Sequence, residues 1–365
     1  LSKVSPPAVM DVVEKAIAYT PPLVYTEVDG IQSPTGVEAK GWLITVGGTP
    51  KQIMSHSPEF TYRQLLAAAD MAKKMGAQIM GLGAFTKVVG DAGVTVAKRA
   101  PLPITTGNSY SASGALWAAH DAAARLGLVE LEKGKRIKGK AMVVGATGAI
   151  GSACSRLLAR TAEEVHLVSP ESAKLLVLEE SILRESPEAK LVLASYADSD
   201  RSIGDMDMIV TATSGAGKKI LDIMKVKPGC VITDVARPLD LPAEEVAKRP
   251  DVLVIESGEV YLPGKVRMKQ IGFEDHNVVY ACLAETIVLT LEGRFENFTL
   301  GRTIEWEKVH EIYKLGLKHG MRLAAISGVK GVYSDDDIAR VRELALEARE
   351  KAKHPSAQGA VAPGE

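Results

Sequence analysis

Cysteine is scarce in this chain: three residues in 365, at positions 154, 230 and 282, odd in number and far apart. A disulfide-stapled scaffold is excluded, and a reducing compartment, hence a cytoplasmic location, is the expectation. Net charge is also nearly absent. The 44 Lys plus Arg against 45 Asp plus Glu leave a formal charge of −1, which argues against a nucleic-acid binder acting through a globally basic surface. No apolar run is long enough to span a bilayer. Ala141 to Ser155 is uncharged but short, and Gly145, Gly148 and Gly151 interrupt it. The opening stretch, Leu1 to Ala16, lacks the apolar core of a signal peptide and begins at Leu, as a trimmed chain would. Seven histidines are scattered without an HExxH or paired CxxC pattern, so no metal site is expected. Neither a Gly-x-Ser-x-Gly elbow nor a Walker loop occurs.

The hydrophobic fraction, 46%, is ample for large cores, and the length divides into two to three domains at about 150 residues each. The expected fold class is α/β. Residues 1–135 read as an N-terminal α/β substrate domain, where strand-like Trp42 to Val46 and Ile79 to Leu82 alternate with helical Tyr62 to Met75 and Ser111 to Leu126. Residues 136–271 read as a Rossmann-type, doubly wound parallel sheet. Its candidate strands are Ala141 to Val144, Val165 to Val168, Met208 to Thr211, Val231 to Thr233 and Val252 to Ile255, near-continuous apolar runs of the kind covered on both faces. Residues 272–353 read as a C-terminal helical region with helices over Asn277 to Leu291, Ile304 to Lys318 and Asp335 to Lys353. The tail 354–365, rich in Ala, Gly and Pro, is expected to be disordered. Between the first two domains, five basic residues fall within the eight positions Lys133 to Lys140. This stretch reads as a linker or solvated loop, with docking of an acidic partner as the alternative.

Gly145-Ala146-Thr147-Gly148-Ala149-Ile150-Gly151 follows an apolar strand and opens a helix. Glycines permit a tight turn and close approach to a pyrophosphate, and the helix N-terminus offers free N–H groups to it. The spacing is G-x-x-G-x-x-G, and the competing reading is a tight turn with nothing bound. The next strand ends at Ser169, a neutral residue that would not repel a 2′-phosphate; NADPH is therefore expected, with NADH as the alternative. Thr211-Ala212-Thr213 ends a later strand with side chains small enough for close cofactor approach or for a tight turn. Asp234 ends another strand on the same edge, without an assigned role.

Cys282 lies in the second turn of the helix expected from Asn277, close enough to its start for backbone amides to favour a thiolate nucleophile. Glu285, three residues on, shares its face and is an acid/base candidate. The residues alone leave the other reading open, a small buried hydrophobe in an apolar helix. Cys154 and Cys230 read as packing.

The chain resembles the long-chain fatty acyl-[acyl-carrier-protein] reductases. The resemblance is carried by Gly81-Leu-Gly-Ala-Phe-Thr86, Thr105-Thr-Gly-Asn108, Val143-Val-Gly-Ala-Thr-Gly148, Ile150-Gly-Ser152, Tyr280-Ala-Cys282-Leu-Ala-Glu285, Glu292-Gly293, Asn297-Phe298 and Gly301-Arg302. It implies a two-step reductase in which a cysteine, here Cys282, takes an acyl group from acyl carrier protein or acyl-CoA. NADPH then releases an aldehyde, which a downstream enzyme would consume. Phe85, Thr86 and Asn108 are the candidates for lining the substrate site. Two departures mark a divergent member: Pro170 stands where the family has Arg after the second strand, and Gly258 to Asn277 is unusually charged. The domain order also resembles shikimate-dehydrogenase-like proteins, which would imply a dehydrogenase of a small hydroxy or imine substrate without covalent catalysis. Homo-oligomer formation through the Ala-rich and apolar helices is a further expectation.

Overall fold

The structure, a computed structural model, describes residues 18–353 apart from 88, 132–136, 214–219, 237–238, 257–258, 325 and 330. The expected disordered tail falls outside the described residues. In chain order, β1 (Leu23–Gln32), β2 (Glu38–Thr45), α1 (Pro58–Lys74), β3 (Met80–Gly81), β4 (Ile104–Thr105) and α2 (Asn108–Leu126) come first. Next come β5 (Ile137–Val144), α3 (Ala149–Thr161), β6 (Ala162–Val168), α4 (Ser172–Glu185), β7 (Leu191–Ala194), β8 (Met208–Thr211), β9 (Val231–Asp234) and β10 (Leu253–Glu256). The last elements are β11 (Glu259–Tyr261), β12 (Gly264–Arg267), β13 (Val278–Tyr280), α5 (Ala281–Glu292), α6 (Trp306–Lys318) and α7 (Asp335–Lys353).

The chain divides into two compact units, each assembled from separate stretches. One comprises residues 1–115, 148–153 and 258–324; the other comprises residues 116–147, 154–257 and 325–365.

The unit containing residues 154–257 is built on a parallel sheet. Its parallel strands run β10-β9-β8-β5-β6-β7. From β5 the chain steps outward through β6 and β7, then returns to the opposite flank of β5 with β8, β9 and β10. That is the Rossmann strand order, and it reverses between β5 and β8. The strands are apolar on both faces, as Met142, Val143 and Val144 show by being fully buried. One face packs Met142, Val144, Ile209, Ile232 and Val254 together. The charged stretch read as a linker partly belongs to this sheet. Lys138 and Lys140 sit on β5, where Gly139 and Ala141 turn inward while the lysines pair with Glu130 (3.0 Å) and Glu164 (3.1 Å). Strand alternation, hidden under the run of charge, explains the difference.

In the other unit, β1 pairs antiparallel with β2 and β12, β11 pairs with β13, and β3 lies parallel to β4. Helix α5 buries Ala281, Ala284, Ile287, Val288, Leu289 and Leu291. At about 1.5–3 kcal/mol for each large aliphatic side chain, this face anchors the helix firmly. Gly81 of β3 lies so close to Thr286 that a Cβ there would overlap its hydroxyl, so the glycine brings the β3–β4 pair hard against α5. The helix expected from Asn277 begins at Ala281 instead, because Val278-Val279-Tyr280 pair with β11 as a strand. Two adjacent β-branched residues favour that choice.

Candidate active site and nucleotide loop

Cys282 occupies the second position of α5, in the first rather than the second turn, and is half-buried. The other two thiols are completely buried, and burial alone pushes Cys154 up to about 12. Burial pushes the Cys230 thiol up as well. Cys282 is thus the one cysteine of the three with access to a reactant.

The turn between β4 and α2 presses on this cysteine. Gly107 has φ +73°, and a Cβ on it would fall 2.5 Å from Cys282 Cβ and closer still to its Cα. Only glycine fits both the conformation and the contact. Asn108 opens α2 beside it; it is 3% exposed, and its Oδ1 meets no donor among the described residues.

Glu285 is fully buried. Its carboxylate accepts hydrogen bonds from the Thr105 hydroxyl and from Tyr110 N (2.9 Å). Burial pushes its pKa up, opposed by these donors. Thr299 N in turn donates to Thr105 Oγ1 (3.0 Å), Thr106 N donates to Thr299 O (2.9 Å), and Ile104 N donates to Asn297 Oδ1 (2.8 Å). The two ends of the resemblance motif, Thr105 to Asn108 and Asn297-Phe298, are therefore tied together around Glu285. Thr86 donates its hydroxyl to Gly83 O (2.6 Å), within its own turn. Phe85 lies in the same 3-10 turn, Ala84–Lys87, and its side chain is outside the described set.

At the carboxyl edge of the parallel sheet, Gly145 follows β5 with φ +85°, and a Cβ there would lie 2.7 Å from Ala212 O. Gly145 N and Ala146 N both donate to Val168 O, at 2.9 and 3.1 Å. Gly148 then leads into α3, and Ser152 N bonds back to Gly148 O (2.8 Å). A glycine-only turn, a helix N-terminus after it and hydroxyls at the end of the next strand fit a dinucleotide. Thr147 Oγ1 lies 2.7 Å from Ser169 Oγ and donates to Glu171 Oε2 (3.0 Å), while Lys174 pairs with Glu171. Ser169 is 1% exposed.

Thr211 is fully buried, and Thr213 donates from its backbone to Asp240 (3.0 Å) and also from its hydroxyl. Asp234 accepts from Ala236 N (3.0 Å) and Leu241 N (2.9 Å). Burial, reinforced by neighbouring Asp240, pushes it up to about 6. Among the described residues, no three His, Cys, Asp or Glu side chains are grouped to hold a metal ion. No helix there is long and apolar enough to cross a membrane.

No family model matches this chain. It is 32% identical over 301 residues to the aminotransferase PigE of Serratia sp. (strain ATCC 39006), an alignment covering 80% of this chain but only 33% of PigE. The chain thus spans about a third of the length of that relative. It is 25% identical over 319 residues to the long-chain acyl-[acyl-carrier-protein] reductase of Synechococcus elongatus, covering 84% of this chain and 89% of that protein. The second similarity establishes a divergent relation. Among solved structures, quinate dehydrogenase from Corynebacterium glutamicum in complex with NAD aligns over 78% of this chain and 82% of its own, with 12% identity and a TM-score of 0.33.

Two site residues escaped the sequence. Gly107 was quoted only as part of a motif; its need for positive φ against Cys282 becomes visible only in three dimensions. Glu171 stands 20 positions after Gly151, the spacing at which an acidic residue meets the adenosine ribose. It lies two residues beyond the strand end at Ser169.

Proposed function

We propose that this chain is an NAD(P)H-dependent oxidoreductase that reduces acyl thioesters to aldehydes through an acyl group carried on Cys282. The observation that carries this reading is the contrast among the cysteines. Two are sealed in cores, while Cys282 is half-buried at the start of α5 beneath a glycine-only turn. The divergent relation to an acyl-[acyl-carrier-protein] reductase over 84% of the chain supports it.

In the first step the Cys282 sulfur attacks the thioester carbonyl carbon. A new S–C bond forms, the carrier's C–S bond breaks, and the cysteine's proton leaves with the carrier thiol. Thioester exchange of this kind splits a difficult reduction into two easier steps. The negative charge on the carbonyl oxygen needs donors, and the amides at the N-terminal end of α2, which sets out from Gly107 packed on Cys282, are backbone candidates. When bound, the dinucleotide supplies the hydride for the second step. The S–C bond to Cys282 then breaks, the aldehyde leaves and the thiolate takes up a proton. Gly145 to Gly151, with Thr147, Ser169 and the Thr211–Thr213 edge, are the residues that would hold the dinucleotide. NADPH is the expected form from the neutral Ser169 at the strand end, with NADH as the alternative that Glu171 favours, its charge partly offset by Lys174. Acyl carrier protein and acyl-CoA are the proposed acyl donors, and an aldehyde-consuming enzyme must follow.

Incubation of the full chain and of Cys282→Ala with acyl-carrier thioesters and NADPH tests this. The variant should form no aldehyde and still bind NADPH within about twofold of the parent. Aldehyde formation by the variant would overturn the assignment. Turnover of a hydroxy or imine substrate by both proteins would instead favour a dehydrogenase without a covalent step.

A further inference from the structure

Glu285 stands three residues after the proposed nucleophile, where a general acid or base would be sought. Its surroundings assign it another task. Two donors grip one fully buried carboxylate, one on each oxygen: the Thr105 hydroxyl and the Tyr110 backbone amide. Both belong to the single stretch that runs from the end of β4 through Gly107 into α2. Thr299 braces that stretch from the other side, donating its amide to Thr105 Oγ1 (3.0 Å) and its hydroxyl to Ser109 Oγ (2.7 Å). A carboxylate engaged this fully has little freedom to shuttle a proton. What it does is fasten the segment to α5, the helix that carries Cys282.

The segment so fastened has a chemical use. Gly107 touches the backbone and Cβ of Cys282, and it is the residue from which α2, 19 residues long, sets out. The leading N–H groups of a helix have no acceptor within it and point out of its N-terminal end. Tyr110 N is taken by Glu285, and the amides of Asn108 and Ser109 precede it. The carboxamide of Asn108 is a second, independent sign of a ligand here. It is 3% exposed, and its oxygen has no donor among the described residues. An acceptor left so is costly, and an amide N–H of an acyl donor would satisfy it.

We propose that Glu285 is a positioning residue, which clamps the Gly107–Asn108 turn onto α5 and thereby holds the amide end of α2 beside the Cys282 sulfur. The acyl donor's part in this deepens the reading above and rests on it; the effect on the sulfur itself does not.

The test follows two reactions of Cys282 in the full chain by intact mass: acylation by an acyl-CoA and alkylation by iodoacetamide, a small uncharged electrophile. Thr105→Val removes one donor to Glu285 while keeping the shape, Thr105→Ser restores the hydroxyl, and Glu285→Gln replaces an acceptor with a donor. Thr105→Val and Glu285→Gln should slow both reactions by about tenfold or more, the range for losing preorganised donors at a site of developing charge. Thr105→Ser should react within about threefold of the parent. If Glu285→Gln fails to fold, the Val and Ser pair decides. Equal alkylation rates in folded Thr105→Val and Thr105→Ser would overturn the clamp. Absence of acylation in the parent, with alkylation still slowed by Thr105→Val, would leave the clamp standing and count against acyl transfer.

Discussion

Gly107 rests on Cys282 so closely that no other residue can take its place: a side chain there would overlap the cysteine's Cα, Cβ and carbonyl oxygen. Gly107→Ala must therefore displace either the turn or the start of α5. The positive φ alone costs about 1–2 kcal/mol, and the overlap adds to it. We predict a loss of more than about 2 kcal/mol in stability. Thermal unfolding should show this together with slower alkylation of Cys282. An alanine variant as stable and as reactive as the parent would refute the contact.

Glu171 places a carboxylate on Thr147 at the tip of the glycine loop, partly offset by Lys174. A 2′-phosphate arriving there meets negative charge. Glu171→Gln should strengthen NADPH binding about three- to tenfold while leaving NADH binding equal or weaker, the direction expected when a like charge is removed at a solvent-screened site. Titration calorimetry with both dinucleotides at two salt concentrations checks this, and the gain should shrink at the higher salt. A parallel change for both cofactors would place the adenosine ribose elsewhere.

Asp234 carries a pH signature. Burial raises its carboxyl from the ordinary 3.8 to about 6, so ionisation is penalised in the folded state. Its contribution to stability is fully present below pH 3.8 and is lost as pH rises through 6. The expected loss is about 3 kcal/mol at full ionisation. Asp234→Asn cannot titrate. Measured as a difference in unfolding free energy, the parent should lose ground to this variant as pH rises from 3.8 through about 6. A constant difference across that window would show that Asp234 titrates normally.

Much of the nucleotide unit was legible in the sequence because each parallel strand is a short apolar run between helix-length segments. β8 matches its expected limits, Met208–Thr211, and β5, β6, β9 and β10 contain most of theirs. β7 was missed: Leu191–Ala194 is an edge strand whose residues are only partly buried, so its apolar signal is short and weak. In the other unit β1 was missed, although ten residues long, because Thr26, Glu27, Asp29 and Gly30 break up its apolar run. Cys282 could be named as a candidate because the Tyr280-Ala-Cys282-Leu-Ala-Glu285 piece of the resemblance is contiguous in the chain, while its position at a helix start left a packing role open. The clamp around Glu285 could not, since Thr105, which donates to it, lies 180 residues before it, and Thr299, which braces Thr105, lies 14 after it in the chain. Charge balance in a buried network is a property of the folded contact, not of spacing.

The claim that matters most is a covalent bond between Cys282 and an acyl group. Intact-mass measurement of the full chain with an acyl-[acyl-carrier-protein], without any reduced dinucleotide, tests it directly. The account predicts a mass gain equal to the acyl group, absent in Cys282→Ala and discharged on adding NADPH. An unmodified parent chain across donors of several lengths, or an adduct that persists in Cys282→Ala, would contradict it.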